Sequence, residues 1–315
     1  MAVTIRPFAD DFAGVASLLN TVNPDPVTAD QLKANHARFP AEGMRYRAVA
    51  LDQAGGVVGY ANTFRLPHMK EGYFWLTLIT RPEARGNGVA TALLANVEPW
   101  VQAHGGTHLE TGVPDDDRIA LTFGQGRGFH VASIQIQSRL DVPAFDEAPW
   151  APAIDNVLRS GIRFFTLAEK PGDETIHTLY ELYKITDLDS PGYIGLPADQ
   201  YPPFDQWYDD LFGKDLIIPE GLIIAADGDR FVGCTIVQKT GDDGGLYTEY
   251  TGVLREYRCR QIALALKLLS VRFAKQYGAA YMTTKNNSTN GPMLAINDKL
   301  GYVKTSGRAW LLKEL

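Results

Sequence analysis

The chain has 315 residues, 45% of them hydrophobic and 21% charged, with a net charge of −7. That is about two domains of ordinary globular composition. The acidic balance argues against a nucleic-acid partner and suits a cationic amine substrate. No run of roughly 18 apolar residues predicts a membrane span, so no membrane partner is expected. The opening MAVTIRPFADDF lacks the basic region and apolar core of a signal peptide. Two cysteines, Cys234 and Cys259, suit a reducing cytoplasm better than a disulfide framework.

In chain order, TIRPF predicts a strand, Asp11–Asn20 a helix and Ala29–Phe39 a second helix. RAVALD, a turn at Ala54-Gly55-Gly56, VVGYANTF and FWLTLIT follow. These are β-branched and aromatic-rich runs bounded by turn residues, the pattern of antiparallel strands. Val89–His104 spaces Ala90, Leu93, Leu94, Val97 and Val101 on one helical face. HLETGV is a strand, and Asp116–Phe123 is a short helix that the run Asp115-Asp116-Asp117 caps. VASIQIQSRLDV closes the first half. EAPWAPA, with two prolines, marks a linker over 146–160 between domains at 1–145 and 161–315.

The second half gives GIRFFTL, helix Glu174–Lys184, GLIIAAD, a turn at Gly228-Asp229, RFVGCTIVQK and LYTEYTGV. Helix Ile262–Tyr277 follows with Leu266, Leu269 and Phe273 on one face. AYMTTK, helix Asn290–Leu300 and AWLLKEL end the chain. The second half has an extra stretch, Asp187–Tyr208, rich in Pro, Gly and aromatics. Tyr193, Tyr201, Phe204, Trp207 and Tyr208 either wall an acceptor pocket or pack the fold. His104 and His108 flank a helix–strand turn and read as solvated, so no metal is expected.

The two halves repeat. Arg85 and Arg258, Ala90 and Ala263, Gly105 and Gly278, and Gly128-Phe129 and Gly301-Tyr302 are all 173 residues apart. Val58-Gly59 and Val232-Gly233 are 174 apart, a slip of one residue between strands. Recurrence at one offset in chain order predicts two copies of one fold.

LTLITRPEARGNGVATALL is the most informative stretch. A strand ends at Thr80 and a helix begins near Gly88, so unpaired backbone N–H groups and the helix dipole converge on one point. That is a site for a diphosphate. Gly86 and Gly88 allow close backbone approach. At this point the sequence resembles the GNAT (Gcn5-related N-acetyltransferase) superfamily, whose motif of Arg or Gln, two residues, Gly, one residue, and Gly or Ala is matched by Arg85, Gly88 and Ala90. The resemblance implies two tandem α+β folds, each a mixed, mostly antiparallel sheet flanked by helices. It implies that the amides of Arg85, Gly86, Asn87, Gly88, Val89 and Ala90 hold the pyrophosphate of acetyl-CoA. It also implies that the open edge at Leu78, Ile79 and Thr80 pairs with the pantetheine arm.

The halves depart from that pattern differently. The second loop reads RCRQIA, with Gln261 in place of Gly88 and Cys259 in place of Gly86, so Gln261 is expected to crowd the anion. Thr251, Gly252, Val253, Arg258, Ala263 and Asn290 form the possible second site. The resemblance places a catalytic glutamate on the strand before the loop. Only the second half offers one, Glu249, on the same strand face as Thr251 and Val253; it is otherwise an ordinary strand glutamate. The family's tyrosine acid is Gly124 in the first half and Asn297 in the second. Asn290 fits the family's motif asparagine, and Asp117 takes its place in the first half. NGPMLAINDKLGY is similar to tandem GNAT proteins related to mycothiol synthase. The implied activity is transfer of acetyl from acetyl-CoA to a primary amine of a small molecule, with Glu110 as the reserve base. The alternative is a non-catalytic CoA-binding sensor or assembly module.

Overall fold

The structure is a computed structural model and describes residues 3–22, 26–67, 69–150, 152–190, 201–241 and 244–315. Two compact units emerge. The first comprises Met1–Val113, Asp117–Ala132 and Ala309–Leu315, and the second Pro114–Asp116 and Ser133–Arg308.

In the first unit, strands β1 (Thr4–Pro7), β2 (Met44–Leu51), β3 (Val57–Arg65) and β4 (Tyr73–Thr80) pair antiparallel in that order, and β4 runs parallel to β5 (His108–Pro114). Helices α1 (Phe12–Leu19) and α2 (Ala29–Ala37) belong to one face, where Val15 and Leu18 meet Val49 and Tyr60. Helix α3 (Val89–Ala103) lies on the other, where Leu93, Leu94 and Val97 meet Ala48, Ala50, Ala61, Phe74 and Leu76. Both cores follow from period-two alternation in the strands and 3.6-residue spacing in the helices. Each fully buried Leu or Val of α3 stabilises the unit by about 1.5–3 kcal/mol. Helix α4 (Arg118–Gln125) completes this unit, capped by Asp117, whose side chain accepts from the Ala120 N–H at 3.0 Å.

The second unit follows the same plan. Strands β7 (Ile162–Thr166), β8 (Ile217–Asp227), β9 (Arg230–Lys239) and β10 (Gly245–Val253) pair antiparallel, and β10 runs parallel to β11 (Tyr281–Asn287). Helices α6 (Asp173–Leu188) and α7 (Phe204–Phe212) precede β8, and α8 (Ile262–Tyr277) and α9 (Gly291–Lys299) flank β11. Asn290 caps α9, accepting from the Met293 N–H at 3.3 Å. The α+β expectation is met in both units.

Three features were not read from the sequence. The expected linker holds a helix, α5 (Pro152–Arg159), whose Ala153, Ile154 and Val157 are buried in the second unit's core. Its proline stands at the first turn, where no backbone donor is needed. Helix α7 begins inside the extra stretch Asp187–Tyr208 and runs four residues beyond it. Tyr193 of that stretch lies outside the described residues.

The third feature is the closing strands. β6 (His130–Asp141) pairs with β11 over Gln135–Asp141, so its greater part belongs to the second unit. The C-terminal residues Ala309–Leu315 of β12 (Val303–Glu314) and the chain end belong to the first, where the Leu315 N–H donates to Thr107 O at 2.9 Å. The compact units therefore do not coincide with the contiguous halves 1–145 and 161–315. β6 and β12 are 173 residues apart throughout, so they hold equivalent places in the repeat.

Candidate functional site

The two loops before α3 and α8 have the same backbone. Each begins with one turn of 3₁₀ helix, Pro82–Ala84 or Arg255–Tyr257. Arg85 has φ −64° and ψ 155°, and Arg258 has −69° and 164°. Gly88 has φ 78° and ψ 2°, and Gln261 has 64° and 6°. Gly86 at φ 76° is matched by Cys259 at φ 62°. Two non-glycine residues therefore hold left-handed conformations that cost such residues roughly 1–2 kcal/mol each. A Cβ at Gly86 or Gly88 would meet no atom within 4 Å, so the first loop is an open cradle of the kind a diphosphate needs.

Gln261 does not fill the second cradle as expected. Its side-chain oxygen accepts from Asn156 Nδ2 of α5 at 3.4 Å, which draws the amide aside. A different obstacle is present. Arg258 pairs with Asp189 at 2.5 Å, and Arg255 pairs with the same carboxylate. Those guanidiniums hold the Asp189 carboxyl below the usual range, so it stays anionic at the loop. Arg85, in contrast, is exposed and makes no ion pair among the described residues. Beside the second loop a cleft of about 300 Å³ is lined by Ile185, Thr186, Leu188, Asp189, Arg255 and Glu256.

Upstream of each loop the sheet opens. β4 pairs with β5 over Tyr73–Trp75, and β10 with β11 over Gly245–Thr248. Beyond those points Leu78, Ile79 and Thr80 are bonded to β3, and Thr251, Gly252 and Val253 to β9, with a free edge on the other side. An extended amide-bearing arm can add there as a strand. The first loop and the two open edges thus fit acetyl-CoA, whereas the second loop presents the Asp189 carboxylate where the anion would approach.

The strands differ at one point. β3 and β4 pair without a break from Gly59↔Thr80 to Phe64↔Trp75. β10 carries a bulge between Thr248 and Tyr250, so Glu249 has no partner on β9. Tyr73 and Gly245 pair with His108 and Tyr281, which are 173 apart, yet are themselves 172 apart. Thr80 and Val253 are 173 apart, so Glu249 is the inserted residue. The expectation that Glu249 shares a face with Thr251 and Val253 is therefore corrected. The bulge shifts the alternation, and Thr251 and Val253 fall in line with Leu246 and Thr248. Crowding by protein raises the Glu249 carboxyl above the usual range, against Lys285 and Lys214. Glu249 is an exposed residue, so water tempers that rise. Glu110 is half-buried on β5 opposite Trp75, and burial raises its carboxyl also.

Tyr250 follows the bulge and faces α6. Its ring stacks on Tyr183 at 4.0 Å and its hydroxyl donates to Thr186 at 2.9 Å. Tyr201 donates to Asp187 at 3.2 Å, and Trp207 and Phe204 pack against Tyr180. Of the expected aromatics, Tyr201 and Trp207 are buried and Phe204 is partly buried in the core, while Tyr208 is exposed.

Sequence reasoning missed a buried polar group. Lys267 of α8 is 1% exposed, donates to Asn297 Oδ1 at 2.7 Å and lies 4.7 Å from the Tyr302 ring. Asn297 Nδ2 donates to Asn286 on the open edge of β11 at 2.7 Å. Burial lowers the Lys267 amine to about 7. The equivalents 173 residues earlier are Leu94, Gly124, Phe129 and Val113, all apolar. A lysine inside the stripe that Leu94 occupies was the available signal.

Among the described residues no cluster of His, Cys, Asp or Glu could hold a metal ion, and no helix is long and apolar enough to cross a membrane. A sequence profile described as the Acetyltransferase (GNAT) family matches residues 14–129 and 179–302. The search of curated proteins found no match. Three solved structures share the whole fold. A tandem GNAT protein from the clavulanic acid biosynthesis pathway is 19% identical with TM-score 0.64, covering 99% of this chain and 98% of its own. A GCN5-related N-acetyltransferase from Sphaerobacter thermophilus is 18% identical with TM-score 0.63, covering 99% and 95%. A GCN5-related glucosamine N-acetyltransferase region of a fungal multi-domain GH3 beta-N-acetylglucosaminidase is 18% identical with TM-score 0.69. The match covers 99% of this chain, which spans only 38% of that fungal one.

Proposed function

This chain belongs to the acetyltransferase (GNAT) family of acyltransferases, which use acetyl-CoA, and from that premise we propose a division of labour between its two units. The first unit holds acetyl-CoA tightly through Arg85–Ala90 and Leu78–Thr80. The second, with a weaker grip, transfers acetyl directly to a primary amine of a small molecule in a ternary complex. The observation that carries this reading is the bulge at Glu249, where β10 parts from β11.

Acetyl-CoA supplies an activated acetyl group as a thioester. The bulge turns a backbone N–H out of the β10 ladder, and such a donor can polarise a carbonyl in the opening. Glu249 takes the proton from the amine's ammonium form, for which a raised carboxylate pKa is suited. The N–C bond then forms as the C–S bond breaks, the nitrogen gives its second proton to solvent, and solvent protonates the departing sulfur. Strand β4 has neither the bulge nor a carboxylate at that point. The Asp189 pair with Arg258 supports the weaker grip of the second loop.

The test is CoA release with a panel of small primary amines. Glu249→Gln is expected to lower turnover about 10²–10⁴-fold, the scale of a lost general base, with acetyl-CoA affinity unchanged. Near-normal turnover in that variant would move the chemistry to the first unit, with Glu110 the next residue to replace. No CoA release from the unaltered chain, with tight binding intact, would favour the non-catalytic CoA-binding reading.

A further inference from the structure

The sheet face under α1 and α2 in the first unit carries two arginines, Arg45 and Arg47, whose neighbours among the described residues are neutral or aromatic groups, the Tyr60 hydroxyl included, and not a carboxylate. The register places Arg47 beside Asn62 and Thr77, and Arg45 beside Phe64 and Trp75, so both arginines share one face with the open end of β4. Both are half-buried. The Arg47 guanidinium lies 3.7 Å from the Phe8 ring centroid and that of Arg45 lies 4.8 Å from Phe39. Arg45 Nε donates to Asn62 Oδ1 at 3.1 Å, and Arg47 Nη2 meets His36 Nδ1 at 3.3 Å. Neither arginine pairs with a carboxylate among the described residues. Burial and the two guanidiniums together lower His36, and burial and Arg47 lower Arg45, so the like charges act on one another. Helix α2 above them buries none of its nine residues.

The second unit shows what the fold alone requires here. Counted from the Gly59↔Thr80 and Gly233↔Val253 rows, Arg47, Asn62 and Thr77 correspond to Leu222, Ile236 and Tyr250. Leu222 and Ile236 are fully buried, and Tyr250 is stacked on Tyr183. Packing is therefore satisfied by an apolar row. Two stacked guanidiniums in that place cost desolvation and mutual repulsion. An anion of the right shape would reverse that cost, because a planar guanidinium fork binds carboxylate or phosphate through two hydrogen bonds.

We propose that the first unit has a second ligand site, centred on Arg45, Arg47 and Asn62, for a small molecule bearing a carboxylate or a phosphate. It lies on the sheet face reached from Thr77–Ile79, apart from the Arg85–Ala90 loop, and depends on neither assignment of the acetyl transfer.

Inorganic phosphate and succinate serve as probes, each titrated calorimetrically into the full chain and into the variants Arg47→Leu, Arg45→Gln and Gly88→Gln. The site is expected to saturate with at least one anion, weaken tenfold or more in Arg47→Leu and in Arg45→Gln, and persist in Gly88→Gln. The tighter probe names the anionic group. Arg47→Leu copies Leu222, and circular dichroism checks its fold. If it does not fold, Arg45→Gln, polar in both forms, carries the same expectation. Saturation with neither anion overturns the proposal. So does a site that Gly88→Gln abolishes and the arginine variants leave intact, which places the anion at the loop instead.

Discussion

The loops Arg85–Ala90 and Arg258–Ala263 share a backbone and differ at four of six residues. Gly86 and Gly88 relax into left-handed conformations, whereas Cys259 and Gln261 are held in them. The fold therefore imposes the loop shape, and glycine is not needed for it. What glycine supplies is open space above the amides, and what the second loop adds is a carboxylate, Asp189, on its arginine. The same contrast runs through the units. One has the cleaner anion cradle, and the other has the bulge, the glutamate and the buried lysine.

The largest effect that can sharpen this contrast is at Glu249. In addition to the loss of turnover, Glu249→Gln should remove the acidic limb of the pH–rate profile. The raised carboxylate must be ionised to accept a proton, so the unaltered rate falls as pH drops through its pKa. A pH–rate profile with the same acidic limb in both proteins breaks the assignment.

Next in size is Gly88→Gln, which copies Gln261 into the first loop. Calorimetry should show acetyl-CoA affinity falling by more than tenfold, about 1.4 kcal/mol or more, through the strain of a left-handed glutamine and through its side chain, which the Asn156 bond holds aside in the second loop. Unchanged affinity would remove that loop from the site.

A smaller gain is expected from Asp189→Asn in a Gly88→Gln background, where the second loop can be read alone. Freed arginines should tighten acetyl-CoA binding about two- to fivefold, the scale of an exposed ion pair. Weaker binding would mean that Asp189 positions the arginines for the ligand.

A separate effect, on stability and not on binding, concerns Lys267. Its folded pKa is about 7, below the roughly 10.4 of an unfolded lysine. Between those values the unfolded chain binds the extra proton, so stability rises with pH from about 7 to about 10. Below pH 7 both states hold the proton and the slope vanishes. Lys267→Leu, copying Leu94, should flatten the rise in Tm between pH 7 and 9.5. An unchanged slope would place the titration elsewhere.

Most of this fold was legible because its signals are local. The 173-residue offset exposed the repeat, and strand and helix periods located most elements. The closing strands were not legible, since β6 and β12 hold equivalent places in the repeat and only long-range pairing decides which unit each joins. Helix α5 was hidden by the two prolines of its surroundings, one of which starts the helix. The loop and the open edges were readable from Arg85, Gly88 and the strand before them. The bulge left its mark as a change of offset from 172 to 173 within one strand, which a single rigid alignment of the halves overlooks. The Arg47 row left none, because a half-buried arginine on a strand reads like any exposed one until its neighbours are known.

The central claim is that the two cradles are unequal, and titration of the full chain with acetyl-CoA tests it most directly. The account predicts one tight site per chain, lost in Gly88→Gln, with at most a weak second site that survives that change. Two equivalent tight sites, or a single tight site untouched by Gly88→Gln, would contradict it.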